Sequence, residues 1–151
     1  MRALLAAILG GAVLAGAAQA DGKIFVPLPD FTALEGDSAR AEGLLREAFM
    51  VNVLMMNCSG VTYTEEMSSL VIDSAYLLGY GVLDLTTDAL ETGYSTPAFD
   101  YLDTPNACHN AQARSDKLIT VLEGYGGSVI AYADQDQAYL DWRALMDEIE
   151  N

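Results

Sequence analysis

Between Ala48 and Met56 every residue except Asn52 is apolar. The stretch lies inside a longer segment, Ser38 to Asn57, where Leu45, Ala48, Phe49, Asn52 and Met56 recur at the i, i+3, i+4 spacing of one helical face. A helix that is apolar nearly all round cannot cover a surface; other elements must enclose it, so it is expected at the centre of its domain. Asn52 then points inward. A buried amide has to find partners or cost a few kcal/mol, on the order of 2–3. An internal hydrogen bond is the simplest reading of Asn52, and a ligand contact is the alternative.

The other segments read as helices too. Thr62 and Glu65 have capping-box spacing, and Glu66 adds charge to the same first turn. Met67, Leu70, Val71, Ser74, Leu77 and Leu78 follow at helical intervals until Gly79 and Gly81 end or kink the helix. Val82 to Thr92 predicts a shorter helix closed by Gly93. Thr96-Pro97 and Thr104-Pro105 each look like an N-cap followed by proline at the first helical position. The second of these opens a long helix to Glu123, with Cys108, Ala111, Ser115, Leu118 and Leu122 inward. Asp134 caps a last helix that buries Ala138, Trp142, Leu145, Met146 and Ile149. Ser128 to Ala133 fits either a short strand or the start of that helix. With no second convincing strand to pair with, a sheet is not expected. The fold class is therefore all-α, a compact bundle of four or five helices.

The chain opens with a leader. Arg2 is followed by an apolar run from Ala3 to Ala18, and Ala18-Gln19-Ala20 has the small-x-small form of a cleavage site. Residues 1–20 read as a secretory signal peptide, residues 21–37 as an extended lead-in containing Pro27 and Pro29, and residues 38–151 as one helical domain. No later segment is long and apolar enough to span a bilayer. Export sets the reading of the two cysteines, Cys58 and Cys108. In an oxidising compartment they form one disulfide, joining the end of one long helix to the start of another. Metal is not expected, since zinc needs four nitrogen or sulfur ligands and the chain has one histidine and no close cysteine pair.

Charge excludes further classes. The chain carries 22 acidic and 7 basic side chains, net −15, which becomes −16 when Arg2 leaves with the leader. Nucleic-acid binding needs a basic footprint, so it is not expected. The same field suits steering of a basic protein, although solubility alone accounts for it. No catalytic constellation is legible. His109 falls opposite the buried stripe of its predicted helix with no nucleophile beside it. Carboxylate pairs carry no signal among so many acids, and no cofactor motif is present. Tyr76, Tyr80 and Trp142 remain, with Asn52, as candidate interface or ligand contacts. Aromatic residues with a polar tip are favoured where an apolar surface meets water, and equally where a small core is sealed at its rim.

The order of Asn57-Cys58-Ser59-Gly60 ending a long helix, Ala75-Tyr76-Leu77-Leu78-Gly79 in the next, and Ala107-Cys108-His109 opening a later one resembles small exported helical proteins of bacteria with one inter-helix disulfide. Among these it is similar to the periplasmic immunity proteins that block type VI secretion amidases. The resemblance spans Leu44 to Leu122, implies a protein-binding role without catalysis, and transfers no site residue. The expectation is an exported, non-catalytic protein-binding module, periplasmic or secreted. One specific form is an inhibitor of a cell-wall enzyme. A small-ligand binder with a pocket between helices near Asn52 is the other class.

Overall fold

The computed structural model describes residues 22–150; the signal peptide expected at 1–20 lies outside the described residues. Ser38–Asn57 forms one helix, α1, with the bounds its periodicity predicts. Asp37 caps it by accepting from the Arg40 amide at 3.2 Å. Ala41, Leu45, Ala48, Phe49, Val51, Val53, Leu54 and Met55 are buried, so α1 is the central rod. Two helices flank it, α2 (Glu65–Tyr76) and a later one over Ala111–Gly124. Three consecutive residues, Val53 to Met55, are buried, so the rod is covered on more than one side. The side left open falls at Asn52 and Met56. Asn52 is half-buried, and Met56 is 63% exposed, which corrects the expected inward placement of Met56.

α2 begins two residues later than its capping box predicts. The cap is Thr64, whose hydroxyl accepts from the Met67 amide at 3.3 Å. Thr62 is unavailable because the Gln112 side chain takes both its backbone groups, accepting from Thr62 N at 2.7 Å and donating to Thr62 O at 3.3 Å. The helix does not stop at Gly79. It widens into a π-helical stretch, Leu77–Val82, and ends as Asp84 turns left-handed at φ 50°.

The next helical rod also departs from expectation. Thr86 caps α3 (Thr87–Leu90), and Gly93 does not close it. The chain continues through a π-helical stretch, Glu91–Ser95, into α4 (Thr96–Tyr101), so Thr96 is not an N-cap. Pro97 donates no amide hydrogen and its ring crowds the carbonyl a turn earlier. Widening the turn ahead of it lets the rod pass through without a break. Thr104-Pro105 opens no helix. Asn106 and Asn110 adopt φ of 62° and 61°, a left-handed conformation that asparagine tolerates better than most residues, and α5 (Ala111–Gly124) starts only after the second. His109 is exposed, but in this irregular turn rather than on a helix.

With α6 (Gln135–Ile149) the described residues make five helical rods and no strand, an all-α fold with one disulfide. Cys58 caps the C-terminus of α1 and Cys108 lies in the turn before α5. Their Cα atoms are 5.5 Å apart, over a small apolar cluster of Leu54, Cys58 and Ala111. The main core gathers Leu45, Val51, Leu70, Val71, Leu118 and Leu122.

The lead-in is part of this core. Phe25, Val26, Phe31 and Leu34 are buried. Its backbone runs beside 125–132, with Asp30 N donating to Tyr125 O at 2.9 Å, Ser128 N to Pro27 O at 3.0 Å, and Tyr132 N to Phe25 O at 3.1 Å. The ambiguous segment Ser128 to Ala133 is thus an irregular extended partner of the lead-in. Gly127 permits the approach. A Cβ there would lie 2.8 Å from Leu70 Cδ1, 3.1 Å from Pro29 Cγ and 3.1 Å from the Leu122 carbonyl oxygen. Gly127→Ala is expected to destabilise the fold by about 1–3 kcal/mol through this overpacking, read as a lower urea midpoint at unchanged slope.

Candidate functional site

The lead-in, the π-helical stretch and α6 meet at one end of the molecule. Asp134 caps α6 as its sequence predicts, accepting from the Gln137 amide at 3.0 Å. The Gln135 side chain then behaves like a strand residue. Its Oε1 accepts from Phe25 N at 2.7 Å and its Nε2 donates to Phe25 O at 2.9 Å, so both backbone groups of Phe25 are satisfied. Ala138 and Met146 of α6 are buried, and Trp142, Leu145 and Ile149 are half-buried, facing inward as expected.

Beneath α6 sits a charged knot that sequence reasoning missed. Lys23 Nζ donates to Asp73 Oδ1 at 2.6 Å, and Asp73 is 1% exposed. The same ammonium lies 3.9 Å from the centre of the Trp142 ring and 5.4 Å from that of Phe25, a cation–π arrangement on two rings. Phe25 also packs against Trp142 and Tyr139, with ring centres 5.6 and 5.8 Å away. Burial raises the Asp73 pKa above its ordinary 3.8, against the opposing pull of Lys23 and, to a smaller extent, the Trp142 indole N–H. That indole nitrogen is itself buried and meets no partner at full hydrogen-bond geometry. One signal could have revealed Asp73, a lone acid in Val71-Ile72-Asp73-Ser74-Ala75, three positions from Leu70 and four from Leu77. Nothing local marks Lys23 as its partner.

Beside this knot an open cleft of about 890 Å³ runs between the lead-in and α6. Phe31, Leu77, Val82, Trp142 and Leu145 give it apolar walls. Asp30, Glu35, Asp134, Asp141 and Glu148 line it with carboxylates. No Lys, Arg, His, Cys or Ser is among its lining residues. Thr32 holds the Asp30 carboxylate through its hydroxyl at 2.5 Å and its amide at 2.9 Å, which lowers the Asp30 pKa. Asp73 does not line the cleft, and its partner is a lysine rather than a second carboxylate.

Of the four candidate contacts, Trp142 alone lines this cleft. Tyr76 and Tyr80 stack on each other with ring centres 5.9 Å apart, and the Tyr80 hydroxyl lies 3.2 Å from Thr87 Oγ1. Burial, chiefly, raises the Tyr76 pKa, with Tyr80, Asp73 and Glu150 adding to it. This pair seals the rim of the core. Asn52 lies half-buried on α1, outside the cleft. Cys58 and Cys108 are joined as expected, a bond suited to an oxidising compartment. Among the described residues no group of three or more His, Cys, Asp or Glu is placed to hold a metal ion, and no helix is long and apolar enough to cross a membrane. Compared with protein-family models, curated proteins and solved structures, the chain matches none.

Proposed function

We propose that this protein is an exported, non-catalytic module that binds another protein in the periplasm or outside the cell. The observation that carries the reading is the open cleft, which offers apolar walls and the Trp142 ring; the Thr32 hydroxyl there is bonded to Asp30, a carboxylate held below its ordinary pKa and so a weak base. Large aromatic side chains in a partly desolvated groove are the usual anchors of protein interfaces. Tyr132, 47% exposed, extends the same surface. Inhibition of a cell-wall enzyme is the specific form that the resemblance implies.

The test is capture from envelope extract. Tagged mature protein, with its bridge intact, is mixed with extract at low and at high salt. A single stoichiometric partner retained at high salt is expected. Partners lost at high salt would reflect only the acidic field. No partner at either salt would end the reading and favour a small ligand.

A further inference from the structure

The cleft also carries information about what fits it. Its apolar wall on α6 is formed by Ala138, Trp142 and Leu145, and its rim by the cap residue Asp134 and by Asp141 and Glu148 of the helix. Those three carboxylates stand seven residues apart, two helical turns or about 10 Å each. They therefore form a row along one edge of α6. Glu35 faces them from the lead-in side. Glu35, Asp141 and Glu148 are exposed, and none forms an ion pair among the described residues. The field in the cleft is thus negative beside an apolar floor, although Asp134 Oδ1 is committed to capping α6 and Asp141 Oδ1 accepts from the Gln137 side chain at 2.8 Å. A mixed surface of this kind disfavours an acidic or wholly polar occupant, and a carboxylate row spanning about 20 Å along the helix axis matches a rod better than a compact molecule.

We propose that the cleft receives an amphipathic helix of a partner protein, lying along α6, with apolar side chains inward and lysine or arginine at seven-residue intervals opposite Asp134, Asp141 and Glu148. This rests on the binding-module reading and assigns the surface and the partner chemistry. The apolar face of the incoming helix covers Trp142, Leu145 and Leu77, while its basic edge meets the carboxylate row. Electrostatic matching of this type raises the association rate and fixes register.

Trp142 is the chain's only tryptophan, so its emission reports occupancy directly. The probe is a synthetic peptide of leucine and lysine, with lysine at seven-residue intervals and leucine on the adjoining face. Saturable change in Trp142 emission is expected. The rim variant Asp141→Lys/Glu148→Lys should bind at least about tenfold more weakly. The matched variant Asp103→Lys/Glu123→Lys changes net charge equally at exposed positions outside the cleft and should bind as wild type does. Far-UV circular dichroism checks that each variant is folded. Equal weakening in both variants would overturn the proposal, because overall charge would then suffice. So would equal binding of a leucine–glutamate peptide, of a lysine–serine peptide, or of octylammonium, or no binding of the probe. The envelope capture separates the two readings. A partner held equally by wild type and rim variant removes the cleft assignment and leaves the module reading. Probe binding without any envelope partner does the reverse.

Discussion

Replacing Cys58 and Cys108 together by alanine is expected to lower the unfolding free energy by about 4 kcal/mol. The bridge closes a separation of 50 residues, and in the chain-entropy model that closure removes about this much from the unfolded state's advantage. The closed segment contains α2, α3 and α4, so three helical elements lose their tether to the end of α1 and the approach to α5. Urea unfolding of the two proteins, fitted with a common slope, measures the effect. Hydrogen exchange locates it, since protection should fall first in the last turn of α1 and the first of α5. A difference below about 1 kcal/mol would mean that the reduced unfolded chain is already compact.

Lys23→Met should cost about 3 kcal/mol at neutral pH. Removing one partner of a buried ion pair leaves the other charge uncompensated, typically worth about 3–5 kcal/mol. Lys23 keeps 27% of its side chain exposed, so water softens the loss toward the lower figure. The deficit should depend on pH with a definite sign. The Asp73 pKa is raised in the folded protein, so its contribution to stability is fully present below 3.8 and is lost as pH rises through the folded value. Without Lys23 the desolvation is opposed only by the smaller pull of the Trp142 indole N–H, and the folded value moves further up. At low pH Asp73 is protonated in both proteins, and the deficit of the variant should shrink toward zero as pH falls. Urea titrations over a pH series, with Asp73→Asn as the variant that cannot titrate there, provide the measurement. A deficit independent of pH would mean that lost contacts of the Lys23 stem on Trp142 and Phe25, rather than the stranded carboxylate, carry the cost.

Several features were legible because their causes are local. The Ser38–Asn57 bounds follow from an apolar run preceded by a capping Asp37. The start of α6 follows from Asp134, whose carboxylate acts within three residues. The disulfide followed from two cysteines in a chain read as exported. Where prediction failed, a more distant group competed for the same backbone. Thr62 lost its cap role to Thr64, its own backbone groups being held by Gln112, 50 residues away. Gly93 did not end its helix because the chain widened and continued toward Pro97. The helix expected from Pro105 gave way to left-handed Asn106 and Asn110, which carry no sequence mark beyond the residue type.

The candidate site divides in the same way. Trp142 could be singled out on helical spacing, and the Asp134, Asp141, Glu148 row is present in the sequence as a seven-residue interval. Neither reveals a cleft, because a groove is made by two surfaces and α6 supplies only one. Lys23 and Asp73 are 50 residues apart, and Phe25 and Gln135 are 110 apart. Periodicity and capping are short-range effects, felt across a turn or two of helix, and they determined that this chain is a set of helices around α1. Desolvation and hydrogen-bond satisfaction act on whatever the fold brings together. Those forces, available only in the tertiary structure, paired the lead-in with 125–132, buried Asp73 against Lys23, and left α6 standing over an acid-rimmed cleft.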